Sequence, residues 1–285
     1  MGKVINFHKV TDKKWFESVV CFLKKRYTMI GADQMIDYYC HHQELPSKSC
    51  LITVDDGDMT SYTVIYPILK KYHIPAIFFV SPQKITRSGK HRNFWFQEVR
   101  SFEDGEQLMD KIHNGSYEID DIWEMIDCYR VEHQTNELSE QNMTLDQVLE
   151  IDREGLVAFG AHTMEHPFLA RESDERSANE IITSIDQLAK MLGHSVHTFA
   201  YPNGQPGLDF GQREMETLRK TSCQIAFSTQ PKDFSEREVS LAIPRFGLSC
   251  GSLLFIKIKL MLGAHYQTVK CIVRGLKRFV KTETN

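Results

Sequence analysis

Short apolar runs that end in charged or turn residues alternate along this chain with stretches whose apolar positions recur every three or four residues. Residues 12–25 place Trp15, Phe16, Val19, Val20 and Leu23 on one helical stripe. LITV (51–54) and AIFFV (76–80) are unbroken apolar runs of the length that a strand buried on both faces takes. Between them TSYTVIYPILKKY (60–72) has helical periodicity, with Pro67 placed to kink that helix or to start its second part. LVAFG (156–160), a helix over 175–193, HTFAY (197–201), a helix near 210–220, QIAFST (224–229) and LAIPRFGL (241–248) continue the alternation. Strands and helices in turn predict parallel strands with helices outside, as a barrel or a doubly wound sheet.

Two regions break this rhythm. Residues 101–150 hold 14 Asp/Glu against 2 Lys/Arg, a local net charge of −12. The stretch from about 84 to 150 is expected to be a helical insertion over the core, with NFWFQEVR as its most apolar piece and a solvated acidic face. From residue 251 onward the chain is basic, with Lys257, Lys259, Lys270, Arg274, Lys277, Arg278 and Lys281 against Glu283. Within 251–285, Val269, Ile272, Val273, Leu276, Phe279 and Val280 recur at helical spacing. A basic amphipathic helix of this kind fits either peripheral contact with an anionic membrane surface or docking on its own domain.

Composition narrows the field only a little. At 285 residues the chain can be one large α/β domain or two small ones, and 41% hydrophobic with 25% charged residues is ordinary for a globular protein. A net charge of −4 gives no global case for nucleic acid as a partner. The N-terminus shows no secretory leader pattern, position 6 lacks the Ser or Thr of a myristoylation signal, and no apolar run approaches ~18 residues. Seven scattered cysteines without a CxxC pair fit reduced thiols in a cytoplasmic protein.

The chemistry sits where strands end. LITVDDGDMT (51–60) runs a buried strand into Asp55, Asp56 and Asp58, and FGAHTMEHPFL (159–169) runs another into His162 and His166. Charge at the end of a buried strand is costly unless something compensates it. In parallel α/β folds the site forms at the carboxyl ends of strands. Two imidazoles and a carboxylate with open positions make a common hydrolytic metal site. Gly160 and Pro167 argue that His-x-x-x-His here spans a strand end and loop, not a helix face. The acids also match Asp-x-Asp-x-Thr at Asp56, Asp58 and Thr60, the nucleophile loop of haloacid-dehalogenase-like phosphatases. That alternative leaves the two histidines idle.

TVDDG, followed by YPILKKYHIPAIFFVSP, FGAHTMEHPFL and FAYPNG, resembles the NodB-type polysaccharide deacetylase family over roughly residues 4–82 and 156–248. The resemblance implies a distorted (β/α)7-type barrel over about residues 1–250, including the insertion. It implies metal-dependent hydrolysis of an acetyl group, usually the N-acetyl of a hexosamine. Matched by position, Asp55 resembles the general base, and Asp56, His162 and His166 resemble the ligands of one divalent ion, zinc first, with cobalt, nickel or iron also suited. INFHKV resembles the first strand of a permuted branch in which an early histidine is the acid, which makes His8 the candidate. A late Leu-x-x-His motif is lacking, and His265 has the wrong surroundings. FAYPNG stands where other branches have Arg-Pro-Pro, so Tyr201, Pro202 and Asn203 are expected to shape the groove. Arg245 of IPRFGL is expected either to pair with Asp55 in place of the missing arginine or to form a surface salt bridge. Asp58 reads as a loop or helix N-cap residue. Trp95 reads as packing, or as a platform for a sugar ring. The implied substrate is an acetylated amino sugar in a polysaccharide, an oligosaccharide or a nucleotide- or lipid-linked precursor. A non-catalytic carbohydrate-binding barrel is the other reading.

Overall fold

The computed structural model describes residues 2–87 and 92–263 of the chain. His265 and the amphipathic stretch 269–280 therefore lie outside the described residues. The strands are β1 (Lys3–Phe7), β2 (Thr28–Met29), β3 (Ser49–Val54), β4 (Ala76–Val80), β5 (Val157–Ala161), β6 (Thr198–Ala200), β7 (Ile225–Phe227) and β8 (Phe246–Gly247). The helices are α1 (Lys13–Arg26), α2 (Ala32–Cys40), α3 (Tyr66–Tyr72), α4 (Pro82–Thr86), α5 (Trp95–Val99) and α6 (Gly105–Asn114). They continue with α7 (Ile119–His133), α8 (Leu145–Arg153), α9 (Asp174–Leu192), α10 (Gln212–Leu218) and α11 (Leu253–Leu262).

All strand pairs are parallel, in the order β7-β6-β5-β4-β3-β1-β8, with β2 added beside β3. Residues 243–248 close the circuit. Ile243 exchanges backbone hydrogen bonds with Ala226 and Ser228 of the β7 side, while Phe246 pairs with Ile5 and the Leu248 N–H donates to Asn6. Pro244 interrupts this closing strand, since it has no N–H to give a ladder, and only Phe246–Gly247 is regular. The result is the expected distorted barrel of parallel strands with helices outside.

Strand alternation divides the side chains into two sets. Ile5, Phe7, Ile52, Val54, Phe78, Val80 and Phe159 pack outward with α1, α3, α8, α9 and α10. Val4, Leu51, Ile77, Phe79, Phe227 and Ile243 pack together inside, with Met35 and Ile36 of α2. On the same inward parity, one turn of pleat further along, stand Asn6 and His8 of the first strand and Thr53 and Asp55 of the third, and Asn6 is in register with Thr53. The interior thus changes from apolar to polar toward the carboxyl ends of the strands.

The insertion forms its own apolar cluster from Phe94, Phe96, Val99, Phe102, Met109, Ile112, Ile119, Ile122, Trp123 and Ile126. Its last expected residues belong to α8, which packs on the outer barrel cluster through Val148 and Ile151. The helix expected over 60–72 opens as a π-helical turn at Ser61–Ile65 that runs directly into α3, and Pro67, which has no N–H to give the ladder, lies where the two meet. The six described cysteines are unpaired. Among the described residues, no helix is long and apolar enough to cross a membrane.

Candidate active site

Neighbouring residues of a strand point to opposite faces, so Asp55 and Asp56 can face one cavity only if the strand ends between them. It does. Asp56 adopts φ +72 and Gly57 φ +68, two successive left-handed residues that turn the chain sharply at the end of β3. A side chain in this region is strained, and such strain gathers at functional sites. Thr163, His166 and Asn203, all around the same cavity, also have positive φ.

Asp55 is held from below. Arg245, fully buried, forks onto it with Nη1 to Oδ1 at 2.7 Å and Nη2 to Oδ2 at 2.9 Å, and its remaining donors reach Thr53 Oγ1 and the Ser228 carbonyl. Asn6 donates to Asp55 Oδ2 at 2.9 Å. Burial alone would raise the Asp55 carboxyl, but the Arg245 guanidinium, with His162 and His8, holds it below the usual carboxylate range. The expected pairing of Arg245 with Asp55 is present, and the surface salt bridge is not: Arg245 is 0% exposed. His8 stands at the open side, with Nε2 3.7 Å from Asp55 Oδ2 and about half of its side chain exposed.

Asp56, His162 and His166 converge. Asp56 Oδ1 lies 3.5 Å from His162 Nε2 and 3.7 Å from His166 Nε2, and one ligand atom from each residue falls within 4.8 Å of the others. That Oδ1 is buried and has no hydrogen-bond partner. An orphaned buried carboxylate oxygen between two imidazole nitrogens is what a divalent cation would satisfy, and the donor set suits one. His162 places its Nδ1 2.7 Å from the Ala200 carbonyl, which fixes Nε2 toward Asp56 in the manner of a supported metal ligand. Burial and the neighbouring His162 push His166 down to about 3, leaving a neutral imidazole. Burial opposes the charge on Asp56 too, but the interaction with His162 holds its carboxyl well below the usual range.

The His162–His166 loop is fixed by residues that the sequence did not advertise. Glu180, buried on α9, accepts from the Met164 and Glu165 N–H groups at 2.9 and 3.0 Å. Thr163 Oγ1 accepts from the His166 N–H, and the Trp95 indole N–H donates to the His166 carbonyl at 2.9 Å. Trp95 is 1% exposed and packs with Phe96 and Phe168, so it supports His166 from the cleft wall and has no open face for a sugar ring. Asn6 and Glu180 carried one faint signal each, a polar residue inside an apolar strand and an acid on the apolar side of a helix. Buried polar groups in such places need partners.

Above the cluster opens a cleft of about 580 Å³, lined by His8, Asp55, Asp56, His162, His166, Tyr201 and Asn203 on the barrel side. Tyr201 stacks on Phe210 and donates to the Leu241 carbonyl, and the Asn203 Nδ2 is buried without a partner. Pro202 is buried and does not face the cleft. Asp58 turns away from Asp56: its Oδ1 accepts from the Thr60 N–H and hydroxyl, and its Oδ2 faces Lys9 at 3.5 Å. It is a loop residue outside the metal-ligand group, which removes the second acid that the phosphatase alternative needs.

The fold is similar to that of IcaB from Ammonifex degensii, with 20% identity, 91% of this chain and 96% of that one covered, and a TM-score of 0.65. It is also similar to a de-N-acetylase from Aggregatibacter actinomycetemcomitans, with 18% identity over 91% and 99% of the two chains and a TM-score of 0.64. In sequence the chain is 25% identical over 248 residues to a poly-β-1,6-N-acetyl-D-glucosamine N-deacetylase of Staphylococcus aureus, covering 87% of this chain and 70% of the relative. The profile of the polysaccharide deacetylase family matches residues 42–217, more than half of the chain, from before the Asp55–Asp56 pair to beyond the YPNG turn. By that match, and with the acid and imidazole residues of its motifs gathered at one cleft, the chain belongs to the polysaccharide deacetylase family.

Proposed function

We propose that the protein hydrolyses the N-acetyl group of an amino sugar carried by a polysaccharide, oligosaccharide or activated precursor, with one divalent metal ion held by Asp56, His162 and His166. The observation that carries this reading is the orphaned Asp56 oxygen facing both imidazoles beside an Asp55 kept ionised by Arg245. One carboxylate and two imidazoles suit zinc, and after it cobalt, nickel or iron. When bound, such an ion supplies polarisation of the acetyl carbonyl and a lowered pKa for a water.

The side chains account for the protons. Asp55, ionised and anchored, takes a proton from the water that adds to the acetyl carbon. The C–N bond then breaks, and the amine nitrogen needs a proton as it leaves. His8 Nε2, 3.7 Å from Asp55 and open to the cleft, is placed to deliver it. Arg245 keeps Asp55 oriented and charged, and Asn203, backed by the buried Tyr201, forms the wall against which the sugar lies. The metal-loaded protein should release acetate from an N-acetylglucosamine oligomer, and lose that activity on chelation and regain it on metal return. Acetate release unaffected by chelation would overturn the reading.

A membrane-surface setting on the cytoplasmic side is part of the proposal. Helix α11 docks on the core through Ile256 and Leu260 while Leu254, Phe255, Ile258 and Met261 stay exposed beside Lys257, and the sequence after it is basic. An apolar stripe flanked by cations suits an anionic bilayer. Protein ending at residue 250 should lose co-sedimentation with anionic vesicles. Equal sedimentation by the shortened and whole proteins would contradict this.

A further inference from the structure

The insertion is strongly acidic, yet none of its acids faces the cleft among the described residues. What it contributes to the lining is uncharged, as with Phe96, Met109 and Leu138, or basic, in Arg100 and His113. The carboxylates that line the cleft are Asp55, Asp56 and Asp58, all from the β3 end. Most acids of the insertion are exposed to solvent away from the cleft, and one is buried. Glu98, two residues before Arg100, turns inward to Arg130 at 3.0 Å and accepts from Asn93 and the Leu138 N–H. This buried network ties α5 to residues 138–141 and makes the wall rigid, with Asn93 Oδ1 also accepting from the Gln141 N–H.

Arg100 is different. Its side chain is exposed, and among the described residues its guanidinium has no carboxylate partner and no hydrogen bond. That guanidinium instead lies 5.3 Å from the Phe96 ring centroid, and Phe96 packs edge-on against His166 with centroids 4.9 Å apart. The three groups run in sequence from the His166 imidazole to the cleft rim, with successive separations of 4.9 and 5.3 Å. A guanidinium resting on an aromatic face is oriented and weakly hydrated, a state suited to gripping a planar or tetrahedral oxyanion with two N–H groups. Lys9 adds positive charge to the cleft lining, although its Nζ also faces Asp58 at 3.5 Å and donates to Gln141 Oε1 at 3.3 Å.

We infer that Arg100 forms an oxyanion subsite, so that the preferred substrate is an acetylated amino sugar that also carries a phosphate or carboxylate, held toward the insertion side of the cleft. The inference rests on the deacetylase reading of the metal site and deepens it from an acetylated sugar to an anionic one. Phosphate would come from a nucleotide- or lipid-linked sugar, and carboxylate from a uronate-containing oligosaccharide.

The test is equilibrium binding to the metal-loaded full chain of N-acetylglucosamine, N-acetylglucosamine 1-phosphate, UDP-N-acetylglucosamine and a glucuronate–N-acetylglucosamine disaccharide, with acetate release followed in parallel. At least one anionic sugar should bind about tenfold or more tighter than the neutral one, the scale of a hydrogen-bonded charge pair. Arg100→Ala should erase most of that ratio and Arg100→Lys should keep part of it. Added salt should shrink it. Which anion wins identifies the source. No preference for any anion, or a preference that survives in Arg100→Ala, overturns the subsite. An Arg100-dependent preference without acetate from any sugar leaves the subsite standing and removes the deacetylase reading. Acetate from the neutral sugar with no anion preference does the reverse.

Discussion

At the strand ends, Asp56, Thr163, His166 and Asn203 hold left-handed backbone, and the side chains around them depend on partners from β1, α9 and the closing strand. Across the cleft, Phe94 to Leu138 are ordinary helices and loops around an apolar cluster that Phe168 joins, reaching the barrel where Trp95 holds the His166 carbonyl, Phe94 and Phe96 pack on its ring, and Trp123 and Arg171 bond across to Glu165 and the Ile112 carbonyl. The first region is strained, polar and non-local, so its geometry needs the whole barrel. The second is built round an apolar cluster that draws mainly on neighbouring residues, so an exposed rim residue such as Arg100 can change without dismantling the chemistry. On the proposed reading, reaction type and substrate choice are written in different parts of the chain.

The comparison can be broken most sharply at the metal ligands. His166→Ala should weaken metal binding by more than the ~10–100-fold typical of a supporting residue, read by metal content after dialysis. Next is the buried pair. Arg245→Ala leaves Asp55 charged, buried and without its fork, and should cost about 3–5 kcal/mol of stability in chemical denaturation. A smaller loss would mean that Asn6 and water suffice to hold that carboxylate. The insertion offers the complementary case. Ile122→Ala, at a fully buried position of its cluster, should cost about 2–5 kcal/mol while metal content of the folded protein stays as it was. Metal loss in that variant would show that the two walls of the cleft do not behave as separate regions.

The last effect is one of pH. Glu172 lies where the insertion meets the barrel, with its Oε1 accepting from the Ile119 N–H. Burial raises it from an ordinary value of 4.5 to about 7, despite that hydrogen bond. The folded state thus binds this proton more tightly than the unfolded chain. Its contribution to stability is complete below about pH 4.5 and is lost as pH rises to about 7. Glu172→Gln should flatten that part of the stability profile without changing metal content.

The strand-end acids and histidines were legible because a buried strand that runs straight into charge requires a compensating partner at its end, and TVDDG, HTMEH and YPNG each follow such a run. The barrel was legible in the alternation of strand and helix. What escaped depends on conformation or distant partners. Non-glycine residues at positive φ, such as Asp56 and His166, leave no composition signal. β2 and α2 were unread, the first because two residues show no period, the second because nine residues are too short a run to establish one. Glu180 looks like any helix acid until the loop above it is placed. Arg100 looked like one more surface cation, and only its seat on Phe96 beside His166 distinguishes it.

The central claim is that two adjacent acids have separate tasks, Asp56 binding metal and Asp55 moving a proton. Metal content and acetate release measured together on Asp55→Asn and Asp56→Asn test it most directly. Asp55→Asn should keep its metal and lose activity by about 10²–10⁴-fold, the range of general-base catalysis, whereas Asp56→Asn should lose both. Equal metal retention in the two variants, or an active Asp55→Asn protein, would contradict the account.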